Sequence, residues 1–569
     1  YIFVSQLINA PTSMKKLLSI FLLLIFVGVY AQENEKANKP KPISPKDKMK
    51  MADARHQFLE RNYRGALNLY RELLRTYPNN ITLNYRTAEC HFNLKRYDLA
   101  VDYFQNVKNI NANPKNLPLF YFEFGRALQR NGQLDEALEA FEKFKATAKK
   151  KHIKQTNPDK YIEQIKYAQV QMQNPIDVKI IHLDKKINSR FPEYSPSITA
   201  DGKTMIFTSR RSDTKGGGID KESDYKFFED VYISEWNEEE QDWEEAYPIE
   251  GKINTEGHDA ALSISKDGNI IFLYRNDGNL YIGDIFYSKR SKDGKKWGTP
   301  RYIEKPVNTS YFESSASLSA DGNYLYFVSE RPDKKLGAMG HGDIYLVERI
   351  SRNKWGNIKN LGPNINTPGD EISVFIHPDG KTLFFSSDGH KTMGGYDIFM
   401  SKKQEDGTWS KPVNLGYPIN TIGDDMHFIL STDNKTAYYD TEREDTYGER
   451  DIYKIDVSNY SILTAGKDYS VAILKGSIIG NSAEDVEAEI TIKDKATGEV
   501  INKIQTNEYG FYFITLPAGK TYIVEASAEG YESNSEEVSI PEYDDKIATA
   551  VKDIILQKKA EEVPVIEGE

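Results

Sequence analysis

Five copies of one spacing between residues 188 and 453 constrain what this chain can fold into more than any other feature. Asn followed by Ser or Thr stands at Asn188, Asn254, Asn308, Asn366 and Asn420, and an Asp stands thirteen positions after each, at Asp201, Asp267, Asp321, Asp379 and Asp433. Gly follows that Asp in four copies and Asn434 follows it in the fifth. A Trp precedes each of the last four Asn residues by eleven positions, at Trp243, Trp297, Trp355 and Trp409. Repetition at this period predicts an array of equivalent units, each of which needs its neighbours to bury its apolar face.

Each unit reads as short strands. After the Asp-Gly pair comes an apolar run, as at 203–207, 323–327 and 381–385, rich in the β-branched and aromatic residues that suit a sheet. Asp-Gly predicts a tight hairpin turn with a positive φ, pairing that run with the strand before it. A further strand opens at Asp230, Asp284, Asp343, Asp397 and Asp451, and the Trp opens a fourth. Four strands in units of this length describe a propeller blade. Five Asn-to-Asp segments share only four Trp strands, and an unpaired strand-like run at 178–183 lies ahead of Asn188. That run is expected to complete the last blade and cover its open edge, giving a five-bladed all-β propeller over 176–460. The cores resemble the TolB-like, WD40-like repeats of bacterial envelope proteins, a fold that hosts enzymes and scaffolds alike.

The remaining chain predicts a multidomain protein. Residues 14–31 begin Met-Lys-Lys, continue through a largely apolar run and end at Ala31, the layout of a secretory signal peptide. Residues 1–13 read as an upstream misread start. Export to the periplasm, associated with the outer membrane, is the expected localisation. Cys90 is the single cysteine, so no intramolecular disulfide can form, and its place on a predicted helix suits a small core residue. The 85 acidic residues exceed the 74 basic ones by a dispersed −11, which argues against nucleic acid, whose phosphates call for a basic face.

From 48 to 173 the pattern turns helical and repeats again. Tyr63, Ala66 and Tyr70 are followed 34 positions on by Tyr97, Ala100 and Phe104, then 37 on by Leu134, Ala137 and Phe141. These three units resemble tetratricopeptide repeats, which implies an all-α solenoid whose small residues admit paired helices, with a last helix near 159–172 capping the stack. The resemblance implies a concave groove carrying Arg55, Tyr85, Glu89, Phe122 and Arg126 as candidate contacts to a partner peptide.

Residues 471–557 alternate with period two over several short strands, predicting a small antiparallel all-β sandwich. The series Thr497-Gly-Glu, Thr506, Gly510, Leu516-Pro-Ala-Gly519, Tyr522 and Gly530-Tyr531 resembles the carboxypeptidase regulatory-like domain, a non-catalytic module. Residues 558–569 read as a linker. The order of signal peptide, helical arm, propeller and sandwich resembles the PorE-type envelope proteins of Bacteroidota, associated with type IX secretion and gliding. That resemblance implies partners among outer-membrane, secretion or gliding proteins. It implies peptidoglycan contact only through an OmpA-like domain, which is expected to be missing or truncated here.

Chemistry has few footholds. The Ser291-to-Trp297 and Asp406-to-Trp409 segments look like sialidase Asp-boxes, but both precede the repeating Trp and read as turns. No Gly-x-Ser-x-Gly elbow, phosphate loop or His-Glu-x-x-His is present. His258, His341, His377, His390 and His427 are scattered, and the Gly-rich segments ending at Asp343 and Asp397 read as capped turns in preference to cation sites. The expectation is a non-enzymatic interaction scaffold without metal or cofactor. A propeller binding a carbohydrate or peptide in its channel is the alternative, and a propeller hydrolase the third.

Overall fold

The computed structural model describes residues 42–559 apart from 222, 277–282, 352–353, 465–470 and 543–546. The expected signal peptide and most of the expected C-terminal linker lie outside the described residues. Two compact units meet at Pro158 and Asp159.

The first unit is helical: α1 (Pro45–Leu59), α2 (Tyr63–Thr76), α3 (Ile81–Asn93), α4 (Tyr97–Ile110), α5 (Phe120–Arg130), α6 (Leu134–Thr147) and the short α7 (Lys150–Thr156). Helix starts are specified locally. Ser44 caps α1 by accepting from the Asp47 amide, with Pro45 behind it, and the Asn62 and Asn80 side chains accept from Gly65 and Leu83. Ala66, Ala100 and Ala137 are fully buried, and Tyr70, Phe104 and Phe141 lie one turn further along the same faces. Gly125 shows how closely the helices approach, since a Cβ there would sit 3.0 Å from the Phe141 ring.

The second unit is dominated by five antiparallel sheets. Sheet 1 runs Glu193–Ile198, Thr204–Ser209, Asp230–Asn237, Asp242–Trp243, with Tyr247–Pro248 also on its third strand. Sheet 2 runs His258–Ile264, Ile270–Asn276, Asp284–Lys289, Arg301–Tyr302, and sheet 3 runs Glu313–Leu318, Tyr324–Ser329, Asp343–Ser351, Lys354–Asn360. Sheet 4 runs Glu371–Ile376, Thr382–Ser387, Asp397–Lys402, Val413–Asn414. Sheet 5 runs Met426–Leu430, Thr436–Thr441, Asp451–Asp456, and its fourth strand is Lys179–His182, contributed from ahead of sheet 1. Ile180 pairs with Ile455 there, so the run at 178–183 does lie beside the last sheet. First strands neighbour one another in the order 1 to 5, and that of sheet 5 returns to that of sheet 1.

The repeated Asn explains the strict spacing. Each Asn amide bonds both backbone groups of one residue on the third strand of the preceding sheet: Asn254 with Val231, Asn308 with Ile285, Asn366 with Ile344, Asn420 with Ile398, and Asn188 with Ile452 of sheet 5. All ten bonds measure 2.8–3.0 Å. A carboxamide offers donors and an acceptor in the geometry of a peptide group, so the short Asn side chain can pair with the N–H and the C=O of one residue at once. Five positions beyond each Asn stands a fully buried carboxylate, Glu193, Asp259, Glu313, Glu371 or Asp425, which accepts from the neighbouring Ser or Thr amide and hydroxyl. Burial pushes the Glu371 carboxyl up to about 7, and it pushes Asp425 up to about 6 against the pull of Arg443.

Two details differ from the sequence reading. The Asp-Gly turn is longer than a two-residue hairpin: Gly202, Gly268, Gly322 and Gly380 donate to the residue three before, and only the Gly has positive φ, near +70°. Asn434 holds the same left-handed conformation at φ +58°, which Asn tolerates better than most residues. The fourth strands are also fragmentary. Trp243 and Trp355 lie in strands, whereas Trp297 and Trp409 make only isolated bridges, two and one respectively, and the paired segment follows them.

Helix α8 (Pro158–Gln173), expected to cap the helical stack, falls in the second unit. Lys160 Nζ lies 2.8 Å from Asp388 of sheet 4's loop, Gln164 donates to Thr392 Oγ1 at 2.8 Å, and Lys391 lies over Tyr167 at 4.4 Å. These polar partners, with buried Ile162, Ile165 and Ala168, explain the difference.

The C-terminal strands form two sheets, one of Val500–Gln505, Glu489–Asp494, Thr521–Ser527 and Asn534–Ser539. The other is mixed where an antiparallel one was expected, because Val471–Gly480 pairs in parallel with Thr549–Val551 and Ile554–Lys558. A parallel pair needs a long crossover, and here the rest of the sandwich supplies it. Thr515 donates to the Pro378 carbonyl at 2.6 Å and Lys289 pairs with Glu508 at 3.0 Å, seating the sandwich against the turns of sheets 2 to 4.

Candidate functional site

The five predicted groove residues lie on the first helix of each pair: Arg55 on α1, Tyr85 and Glu89 on α3, Phe122 and Arg126 on α5. Two of them are core. Tyr85 is 5% exposed with its ring edge-on to Phe104 at 5.6 Å, and Phe122 is 5% exposed between Phe141 and Phe144 at 5.7 and 5.5 Å. They are packed in the core of the arm, so their truncation reports on folding before it reports on any binding. Tyr85→Ala or Phe122→Ala is expected to destabilise the arm by about 3–5 kcal/mol, read as loss of helical circular dichroism at lower urea. Unchanged unfolding of either variant would show that these rings are not packed as described.

The other three are half-buried and charged, and each meets a partner that the sequence reading missed. Arg86 Nη1 lies 2.6 Å from Glu89, and Arg126 Nη1 lies 3.3 Å from Glu123. Arg126 also lies over the Phe92 ring at 4.6 Å, joining α5 to α3. A signal for these partners was available: an oppositely charged pair three residues apart recurs 37 positions later with its signs exchanged, Arg86 and Glu89 against Glu123 and Arg126. Arg55 lies over Phe58 at 5.1 Å, and its Nη1 is buried without a hydrogen-bond partner among the described residues.

Burial shapes the electrostatics. It raises the Glu89 carboxyl above the usual range, opposed by Arg86, and raises Glu123 likewise, opposed by Arg126. Charges so placed interact more strongly with an incoming group than solvated ones do. The arrangement can hydrogen-bond an extended backbone and offers Arg55 to a carboxylate. Cys90 on α3 is fully buried, and burial pushes its thiol up to about 12, away from reactivity.

The scattered histidines do not converge. His390 Nε2 donates to the Ile365 carbonyl and the ring packs against Phe385 and Phe399, while His258 bridges Asp220 and Glu229 at 3.0 Å each. The Gly-rich segments before Asp343 and Asp397 are loops whose backbone amides those carboxylates accept from. Among the described residues no group of three His, Cys, Asp or Glu side chains is placed to hold a metal ion.

Residues 57–117 match the tetratricopeptide repeat family. The helical arm is a tetratricopeptide-repeat region. No curated protein matches the chain. Solved structures similar to it include the Yersinia enterocolitica type III secretion chaperone SycD in complex with a peptide of the translocator YopD, 20% identical over 22% of this chain and 96% of that one, TM-score 0.21. The first tetratricopeptide domain of Spaghetti (RPAP3) bound to an HSP90 peptide is 18% identical over 22% and 95%, TM-score 0.19. The Sgt2 domain of Aspergillus fumigatus is 15% identical over 24% and 93%, TM-score 0.20.

Proposed function

We propose that this protein is a non-enzymatic interaction scaffold whose helical arm takes an extended peptide bearing an acidic side chain or terminus. The observation that carries the reading is the file of half-buried charges along α1, α3 and α5, ending at Arg55 with its unpartnered donor. A solvated surface would not need such a file, and a folding core would not retain it. The five sheets are read here as the blades of a closed propeller sealed by Lys179–His182, an interaction platform in its own right. By the family resemblance, the protein works in the periplasm at the outer membrane, with partners in secretion or gliding machinery.

The test is affinity purification from envelope fractions with the wild type and an Arg55→Glu/Arg126→Glu variant. Stoichiometric partners recovered by the wild type should fall at least tenfold with the variant while its helical circular dichroism holds. Equal recovery by both proteins would remove the groove from the account.

A further inference from the structure

At the twelfth position after each repeating Asn stand Ala200, Lys266, Ala320, Pro378 and Thr432, so one repeat places a long cation where the others carry small or uncharged residues. Lys266 follows the first strand of sheet 2 and is 6% exposed. Its ammonium reaches sheet 4, which is not an adjacent sheet, and lies over the Phe375 ring at 4.1 Å. It has no hydrogen-bond or carboxylate partner among the described residues. Other buried cations of this unit are answered differently: Arg211 by Glu193 at 3.1 Å, Arg275 by Asp259 at 2.6 Å and Arg331 by Glu313 at 3.3 Å. A ring face recovers only part of what an ammonium loses on leaving water.

Lys266 also lines a cleft of about 560 Å³ between the turns of sheets 2 and 3 and the sandwich. Period-two alternation in Phe511–Pro517 turns Tyr512, Ile514 and Leu516 into the sandwich core and leaves Phe511 and Phe513 on the face lining the cleft, opposite Leu318. Four of the five acidic side chains of the same cleft are engaged locally as follows. Asp267 accepts from Ser265 and Asn269, Asp321 from Ser319 and Asn323, Glu489 pairs with Lys503 and Glu508 with Lys289. The cleft thus joins an apolar wall to Lys266, with which none of these carboxylates pairs.

We propose that this cleft binds a small amphiphilic carboxylate, its anionic head against the Lys266 ammonium and its apolar body against Leu318, Phe511 and Phe513. A carboxylate supplies the counter-charge that the fold withholds, and a pocket of this kind needs few polar groups to fix orientation.

Octanoate and octanol, titrated separately into the full chain and followed by calorimetry, test the assignment. Octanoate should bind at one site per chain at least tenfold more tightly than octanol. Lys266→Met should weaken octanoate at least tenfold, and the wild type should bind it more tightly at pH 6 than at pH 9, a comparison that needs no variant. Absence of octanoate binding at pH 6, equal binding of the alcohol, or equal affinity at the two pH values would each overturn the proposal.

Discussion

Asn188→Ala should destabilise the β unit by about 3 kcal/mol, the cost of leaving the buried Ile452 N–H without a partner and its carbonyl with only the long bond from the Leu183 amide. The amide of Asn188 accepts from the Ile452 amide and donates to the Ile452 and Leu183 carbonyls, and Ile452 is fully buried. Asn254→Ala removes the same two bonds from Val231 and should cost a similar amount globally. The two variants should still differ locally. Asn188 ties the start of sheet 1 to the third strand of sheet 5, whose other neighbour is Lys179–His182, joined by four residue pairs. Hydrogen exchange of a peptide covering 177–184 should therefore accelerate at least tenfold in Asn188→Ala and remain near wild type in Asn254→Ala. Equal exchange in both would mean that Lys179–His182 is held by its own pairing alone.

That experiment also marks how far the sequence was legible. Spacing alone located the strands, because Asn and Asp recur in register with the alternation of buried and exposed residues, and the shortfall of one Trp pointed to a strand supplied from upstream. It did not disclose what the Asn does, since an amide that mimics a peptide group acts between sheets, and its partner lies 264 positions away in the case of Asn188. The buried carboxylates five positions on were equally readable as a repeat and went unread, because charged residues at regular spacing ordinarily mark a solvated face. Tyr85 and Phe122 show the converse: a family register places residues on a helix face but leaves open whether the rings sit on the groove or under it. Helix α8 was assigned by continuity with the repeats, whereas Lys160 and Gln164 find their partners in a sheet 4 loop 228 positions away.

The pH dependence of stability should change by on the order of 4 kcal/mol when Lys266 is replaced by Met. Burial pushes the Lys266 amine down to about 7, from an unperturbed value of 10.5. Below pH 7 the folded and unfolded chains both carry the proton, and the folded one bears the full cost of a cation removed from water. As pH rises from 7 to 10.5 the folded chain releases the proton while the unfolded chain keeps it, so stability climbs with pH at about 1.4 kcal/mol per unit. Above that range both are neutral and the cost is gone. Lys266→Met carries no such cost, so the variant should be the more stable protein at pH 6 and approach parity at pH 10. His377 and Asp379, packed on sheet 4 beyond Phe375, are the same in the two proteins. Urea unfolding of the two proteins at pH 6, 7, 8 and 9 supplies the comparison. Parallel profiles would show that Lys266 keeps its proton on folding, and hence that its ammonium is solvated. Addition of octanoate at pH 6 separates the cation from its counter-charge: it should raise wild-type stability toward that of Lys266→Met and leave the variant unchanged, since only the ammonium gains from a bound carboxylate.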